Sequence, residues 1–167
     1  AGDGAVMRDL VLEAGALAPL VRTLRDVAPT QGISRGGDVE AAEASDVTIV
    51  TTSESFPLAA LRTCVWALSN LVRGKPAPPL ASVSSALPIL AELAKVDDEE
   101  VLTDVCWALS YVGERAEGVD AVIDTGVCGR LASLLGTTSP TVQKSALHAV
   151  GNIVAGSQLQ AQAALEG

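Results

Sequence analysis

The chain repeats itself at a fixed interval. WALSN at Trp66–Asn70 recurs as WALSY at Trp107–Tyr111 and as HAVGN at His148–Asn152, and the steps from 66 to 107 and from 107 to 148 are both 41 residues. No other property of the sequence restricts the fold as much. A unit of this size cannot bury its own apolar face, so it must stack on a neighbour of the same kind.

Helical units of roughly 40–47 residues are the signature of HEAT and armadillo solenoids. The expected fold is therefore all-α, a HEAT or armadillo solenoid of three-helix repeats. Each anchor is preceded by two shorter apolar segments around a turn. AVMRDLVLE and ALAPLVRTL flank Gly15, ASVSS and ALPILAEL meet at Ser85, and VDAVID and VCGRLASLL flank Gly126. From turn to anchor the distance is 22 residues in the second and third copies but 51 in the first, an excess of 29. The expected layout is repeat one over 3–74 with an insert at about 25–56, repeat two over 77–115, repeat three over 117–156, and the start of a further repeat at 157–167. The insert is small, polar and acidic, without an apolar face, and is expected to be a mobile loop. Its VTIV segment, Val47–Val50, has no evident partner strand.

Composition narrows the function. A net charge of −9 and a pI near 4.4 disfavour nucleic acid and anionic membrane as partners and favour a basic one, in a salt-dependent way. Although 49% of residues are hydrophobic, no window offers about 18 consecutive apolar residues, so no transmembrane segment is expected. No signal or transit peptide opens the chain, which starts AGDGAVMRDL without methionine and reads as a fragment or processed piece. Cys64, Cys106 and Cys128 are odd in number and widely spaced, and His148 is the single histidine. This spacing fits neither a metal site nor a disulfide framework, and the cysteines read as small buried hydrophobes in a reducing compartment. No cofactor and no catalytic residues are expected, so the chain does not read as an enzyme.

Within each copy the first and fifth positions stand one above the other on a helix: Trp66 over Asn70, Trp107 over Tyr111. Leu61, Val65, Leu68 and Leu71 follow helical spacing on another face and form the burial stripe. Both tryptophans of a chain with only 2% aromatics fall at the same repeat position. Stacking would turn these positions into a ladder along a concave surface. Its carboxamides would offer donor and acceptor to an extended peptide main chain. Indole walls would receive aliphatic stems ending in a cation, each contact worth roughly 0.5–2 kcal/mol. Acidic groups at the slot ends would select lysine or arginine.

Four strings carry a family likeness: RTCVWALSNLVRGKPAPP at Arg62–Pro79, EVLTDVCWALSYV at Glu100–Val112, VIDTGVCGRL at Val122–Leu131 and VGNIVAG at Val150–Gly156. They resemble importin-α, the armadillo-repeat nuclear import adaptor, and the likeness covers nearly the whole chain except the insert. It implies the armadillo-repeat form, a right-handed superhelical solenoid, and approximately the fourth to sixth repeats of that family, present in cytoplasm and nucleus, binding the lysine/arginine-rich nuclear localisation signals of cargo proteins. By this likeness Trp66 and Asn70 match the last pair of the larger binding site. Arg73, Glu100, Asp104 and Tyr111 match positions near or between the two sites, Trp107 repeats the indole rung, and Asn152 matches the beginning of the smaller site. The segment through which that family recruits importin-β, and its earlier repeats, are not among these 167 residues. The chain departs from the pattern at Thr63, where the family commonly holds asparagine, at His148 in place of arginine, and at Gln158 in place of aspartate.

Each residue also has a simpler reading. Asn70 and Asn152 could make helix-end hydrogen bonds, Glu100 and Asp104 could serve the start of a helix, and Tyr111 could cap the core with its hydroxyl in water. The competing class is an armadillo scaffold for protein–protein interaction in adhesion or signalling, indifferent to lysine-rich peptides.

Overall fold

The computed structural model describes residues 3–27 and 58–166. Residues 28–57, which hold most of the expected insert and its VTIV segment, lie outside the described residues. All regular structure among the described residues is helical. The first unit contains α1 (Asp3–Glu13), α2 (Leu17–Val27) and α3 (Leu58–Val72). The second contains α4 (Leu80–Val83), which continues through a 3-10 turn (Ser84–Ala86) into α5 (Leu87–Leu93), and then α6 (Glu99–Val112). The third contains α7 (Ala116–Ile123), α8 (Cys128–Leu134) and α9 (Pro140–Val154), and α10 (Gln158–Glu166) follows. Helix α2 runs three residues past Leu24, so Arg25–Val27, placed in the insert by the sequence reading, are helical. Arg25 sits in the last turn, where a cation complements the helix dipole.

The turn between the first two helices of a unit explains the recurring glycine. Gly15 and Gly126 have φ of 79° and 71°, a left-handed conformation that a side chain disfavours. At the matching place in the second unit, Ser85 lies in the 3-10 turn, where negative φ suffices.

The third helices form the spine. Helix α6 packs between α3 and α9, while α2, α5 and α8 each cover the third helix of their own unit. One continuous core runs through the stack, with Leu24, Val65, Leu68, Leu90, Leu93, Val105, Leu109, Val122 and Leu131 essentially inaccessible. The 41-residue step is visible in the burial itself. Val65 and Cys106 are 0% exposed, whereas Leu147, at the same repeat position on α9, is 59% exposed. A third helix covers the first two and not the last.

Polar contacts fix how the units meet. Asp98 caps α6 by accepting from the Val101 N–H at 3.1 Å, and Ser139, one repeat step later, caps α9 by accepting from the Val142 N–H at 3.4 Å. Arg8 on α1 is buried, and its Nη1 donates to the Arg73 and Pro76 carbonyls at 2.9 and 2.8 Å, satisfying acceptors at the end of α3. Ser157 and Gln160 form a capping box at the start of α10. The Gln160 Nε2 then reaches the Ala116 carbonyl at 3.0 Å and Asp120 Oδ1 at 2.7 Å, fastening α10 to α7. Gly118 lets α7 cross close to the end of α6, because a β-carbon there would collide with the Val112 carbonyl.

Candidate functional site

On α6 the residues Glu100, Asp104, Trp107 and Tyr111 follow steps of four, three and four, so they form one stripe along the helix. One repeat step earlier, the stripe on α3 reads Ala59, Thr63, Trp66, Asn70. One step later, on α9, it reads Thr141, Ser145, His148, Asn152. The side-by-side packing of α3, α6 and α9 makes these three stripes neighbours.

The aromatic groups meet at the middle of the stripes. The Trp107 and Tyr111 rings stack with centroids 5.8 Å apart and planes 20° from parallel. Across the helix boundary, the Trp107 ring lies 4.8 Å from that of His148 at 36°. Trp107 and Tyr111 are half-buried, while Trp66 stands outside this cluster at 59% exposure. An indole this open is a surface group and not a core side chain.

The two asparagines are already engaged. Asn70 Nδ2 donates to the Trp66 carbonyl within α3 at 2.8 Å, and Asn152 Nδ2 donates to the Ser110 carbonyl and hydroxyl at 2.8 and 3.1 Å. Asn152 thus commits both its amide donors and Asn70 one of its two, and the carboxamide oxygens accept no bond among the described residues and can take a ligand N–H.

The acidic end of the α6 stripe is divided. Arg62 on α3 forms a two-point contact with Asp98 at 2.7 and 3.1 Å and reaches Glu100 Oε1 at 2.7 Å. Its guanidinium, through this hydrogen bonding, holds the Asp98 carboxyl below the usual carboxylate range. Glu99 faces the other way, toward Thr141 Oγ1 and Ser139 Oγ at 2.6 and 2.8 Å, and those hydroxyls lower its pKa. Asp104, one turn further along, is half-buried, with no cation beside it among the described residues. Desolvation, with the nearby Glu100 charge, pushes its carboxyl up. A carboxylate in that setting gains from any cation placed against it. Arg73 is exposed at the end of α3, with its carbonyl held by Arg8.

Of the residues singled out in the sequence, Glu100, Asp104, Trp107 and Tyr111 share a helix face, Asn152 is joined to the residue preceding Tyr111, and Trp66, Asn70 and Arg73 line the adjacent α3. Two participants were missed. His148 was marked by the 41-residue step itself but was not counted as a site residue. Arg62, which occupies Glu100, had no such signal, since its partners lie 36 and 38 positions away. Of the cysteines, Cys106 and Cys128 are buried and Cys64 is half-buried. Burial raises the Cys106 thiol to about 11, which keeps it protonated near neutrality.

Residues 75–112 and 115–155 match the armadillo/beta-catenin-like repeat. The chain is thus an all-helical armadillo-repeat solenoid, with two of its repeats at those positions. A designed armadillo repeat protein solved in complex with the peptide (KR)4 is similar at 25% identity and a TM-score of 0.68, over 95% of this chain and 55% of that one. Computationally designed armadillo repeat proteins for modular peptide recognition are similar at 24% identity and a TM-score of 0.69, over 95% and 56%. An engineered protein is similar at 22% identity and a TM-score of 0.69, over 99% and 56%. The chain spans about half the length of these structures. No curated protein sequence matches it.

Proposed function

We propose that this chain is part of a nuclear import adaptor that holds lysine/arginine-rich localisation signals of cargo proteins, in extended form, along the third-helix stripes. The observation that carries the reading is the pairing on α6 of an indole with a half-buried carboxylate that has no partner among the described residues. Trp107 receives an aliphatic stem, and Asp104, one turn away, receives the charge at its end. Trp66 offers a second indole at the next stripe, and the outward oxygens of Asn70 and Asn152 accept from the peptide main chain. The net charge of −9 supplies long-range attraction for a basic segment. A designed armadillo protein of the same architecture was solved with an alternating lysine–arginine peptide, which supports the choice of ligand. The importin-α-like strings around Trp66, Trp107 and Asn152 support nuclear import as the setting, in cytoplasm and nucleus, with importin-β as a partner through a segment outside these 167 residues.

The test is fluorescence anisotropy of a labelled (KR)4 peptide against an acidic peptide of equal length. Binding should be confined to the basic peptide, weaken as salt rises, and drop about 5- to 30-fold in Trp66→Ala, the loss expected for one cation–indole contact of about 1–2 kcal/mol. Equal binding of both peptides, or indifference to Trp66→Ala, would favour a general interaction scaffold instead.

A further inference from the structure

We infer that His148 gates the Trp107 slot: its imidazole lies over the indole in the place a lysine or arginine stem would take, and its protonation shuts that slot to cationic side chains. The inference rests on the peptide-groove reading above and adds a residue and a control that the reading does not contain.

Three observations lead to it. The His148 ring centroid is 4.8 Å from that of Trp107, across the α6–α9 boundary. Trp107 already stacks on Tyr111 along its own helix, and the imidazole is a second ring set against the same indole. Trp66, which makes neither contact, is 59% exposed, while Trp107 at the same repeat position is half-buried. A peptide side chain must therefore displace His148 to reach Trp107, yet meets no such obstacle at Trp66.

Charge turns this obstacle into a switch. Histidine is the side chain whose charge ordinarily changes between about pH 5 and 8. A neutral imidazole leaves the indole at little cost. An imidazolium is held there by the ring quadrupole and repels an incoming ammonium or guanidinium. The groups around it are few. On α6 the stripe beside it carries Glu100, Asp104 and Tyr111, and on α9 Lys144 lies one turn before it. The other helices packed on α9 carry charged groups engaged elsewhere: Glu117 with Arg115, Asp120 with Gln160, and Arg130 with the Ala94 carbonyl. Protonation of Asp104 or Glu100 would also weaken cation binding in acid, so the test must separate the histidine from the carboxylates.

Two readouts do so. An imidazolium touching an indole quenches its fluorescence, and Trp66 and Trp107 are the two tryptophans of the chain. In Trp66→Phe, the remaining emission should fall on acidification without any peptide, and the fall should vanish in Trp66→Phe/His148→Gln. Anisotropy with labelled (KR)4 should then show affinity lost by about three- to tenfold from pH 7.5 to 5.5 in the unaltered chain. His148→Gln should lose clearly less, and His148→Arg should bind weakly at both pH values. Peptide binding without the fluorescence titration would overturn the gate and leave the groove standing. An equal pH dependence in His148→Gln would do the same. A clean fluorescence titration with no peptide bound by any variant would overturn the groove, and the gate with it.

Discussion

Asn152 on α9 donates through Nδ2 to both the carbonyl and the hydroxyl of Ser110 on α6, 42 positions earlier, at 2.8 and 3.1 Å. The contact joins two units at a point where Ser110 is buried and Asn152 half-buried. A residue read as a ligand rung is thus also a tie between units, and it serves both roles because the amide nitrogen and oxygen are separate groups.

Substitution should separate those roles. Asn152→Ala removes an inter-unit bond and leaves the Ser110 carbonyl unmatched, so it should cost about 1–2 kcal/mol of stability in urea unfolding. Asn70→Ala removes a bond within one helix and should cost under about 0.5 kcal/mol. Both should weaken (KR)4 binding, since each loses one acceptor for the peptide main chain. A loss of stability equal in the two variants would contradict the different bonding.

The burial step along the solenoid makes a second prediction, at one repeat position. Val65→Ala removes two methyl groups from a fully enclosed site and should cost about 1.5–3 kcal/mol. Leu147→Ala, at a side chain that is 59% exposed, should change stability by less than about 0.5 kcal/mol. Urea unfolding of the two variants gives the comparison, and equal losses would mean that α9 is covered as α3 and α6 are.

Asp98 couples the units electrostatically, and its contribution has a defined pH window. Its carboxyl is lowered chiefly by the hydrogen bond from Arg62. The folded pKa therefore lies below the unfolded one, near 3.9. The stabilisation is present above that unfolded value and is lost as pH falls through the lowered folded value. Asp98→Asn keeps a good helix cap and loses the charge. Thermal denaturation should find the variant less stable at pH 7, by about 0.5–1.5 kcal/mol for a partly exposed pair. The difference should shrink as pH falls through the lowered folded value.

The repeating third helices were legible because their signal is periodic. WALSN, WALSY and HAVGN place α3, α6 and α9, and Gly15 and Gly126 mark turns whose left-handed backbone calls for glycine. The stripe on α6 followed from the same spacing. What sequence could not reach were contacts between groups far apart in the chain. Arg8 ends α3 from 65 and 68 positions away, Gln160 fastens α10 to α7 across 40 and 44, and Arg62 claims Glu100. Helical periodicity records which face a residue occupies, and not which polar group on the neighbouring helix it will find. The Asn152 tie to Ser110 could not be read for this reason, since an empty ladder and one bonded to its neighbours have the same spelling.

Asp104 should show stability and binding in opposition. Burial and then the Glu100 charge raise its carboxyl pKa, so the folded value lies above the unfolded one. The native state then binds the proton more readily, and stability rises as pH falls through the raised value. The cost of keeping the charge is fully present above it. Asp104→Asn removes that cost, and the thermal midpoint at pH 7 should rise, with the gain diminishing as pH falls through the raised value and the native aspartate protonates. The same variant loses the anion that faces a peptide cation, and (KR)4 affinity should fall about 5- to 50-fold. Retained affinity would remove Asp104 from the site, and a lowered midpoint would mean that a cation already sits beside it in the free protein.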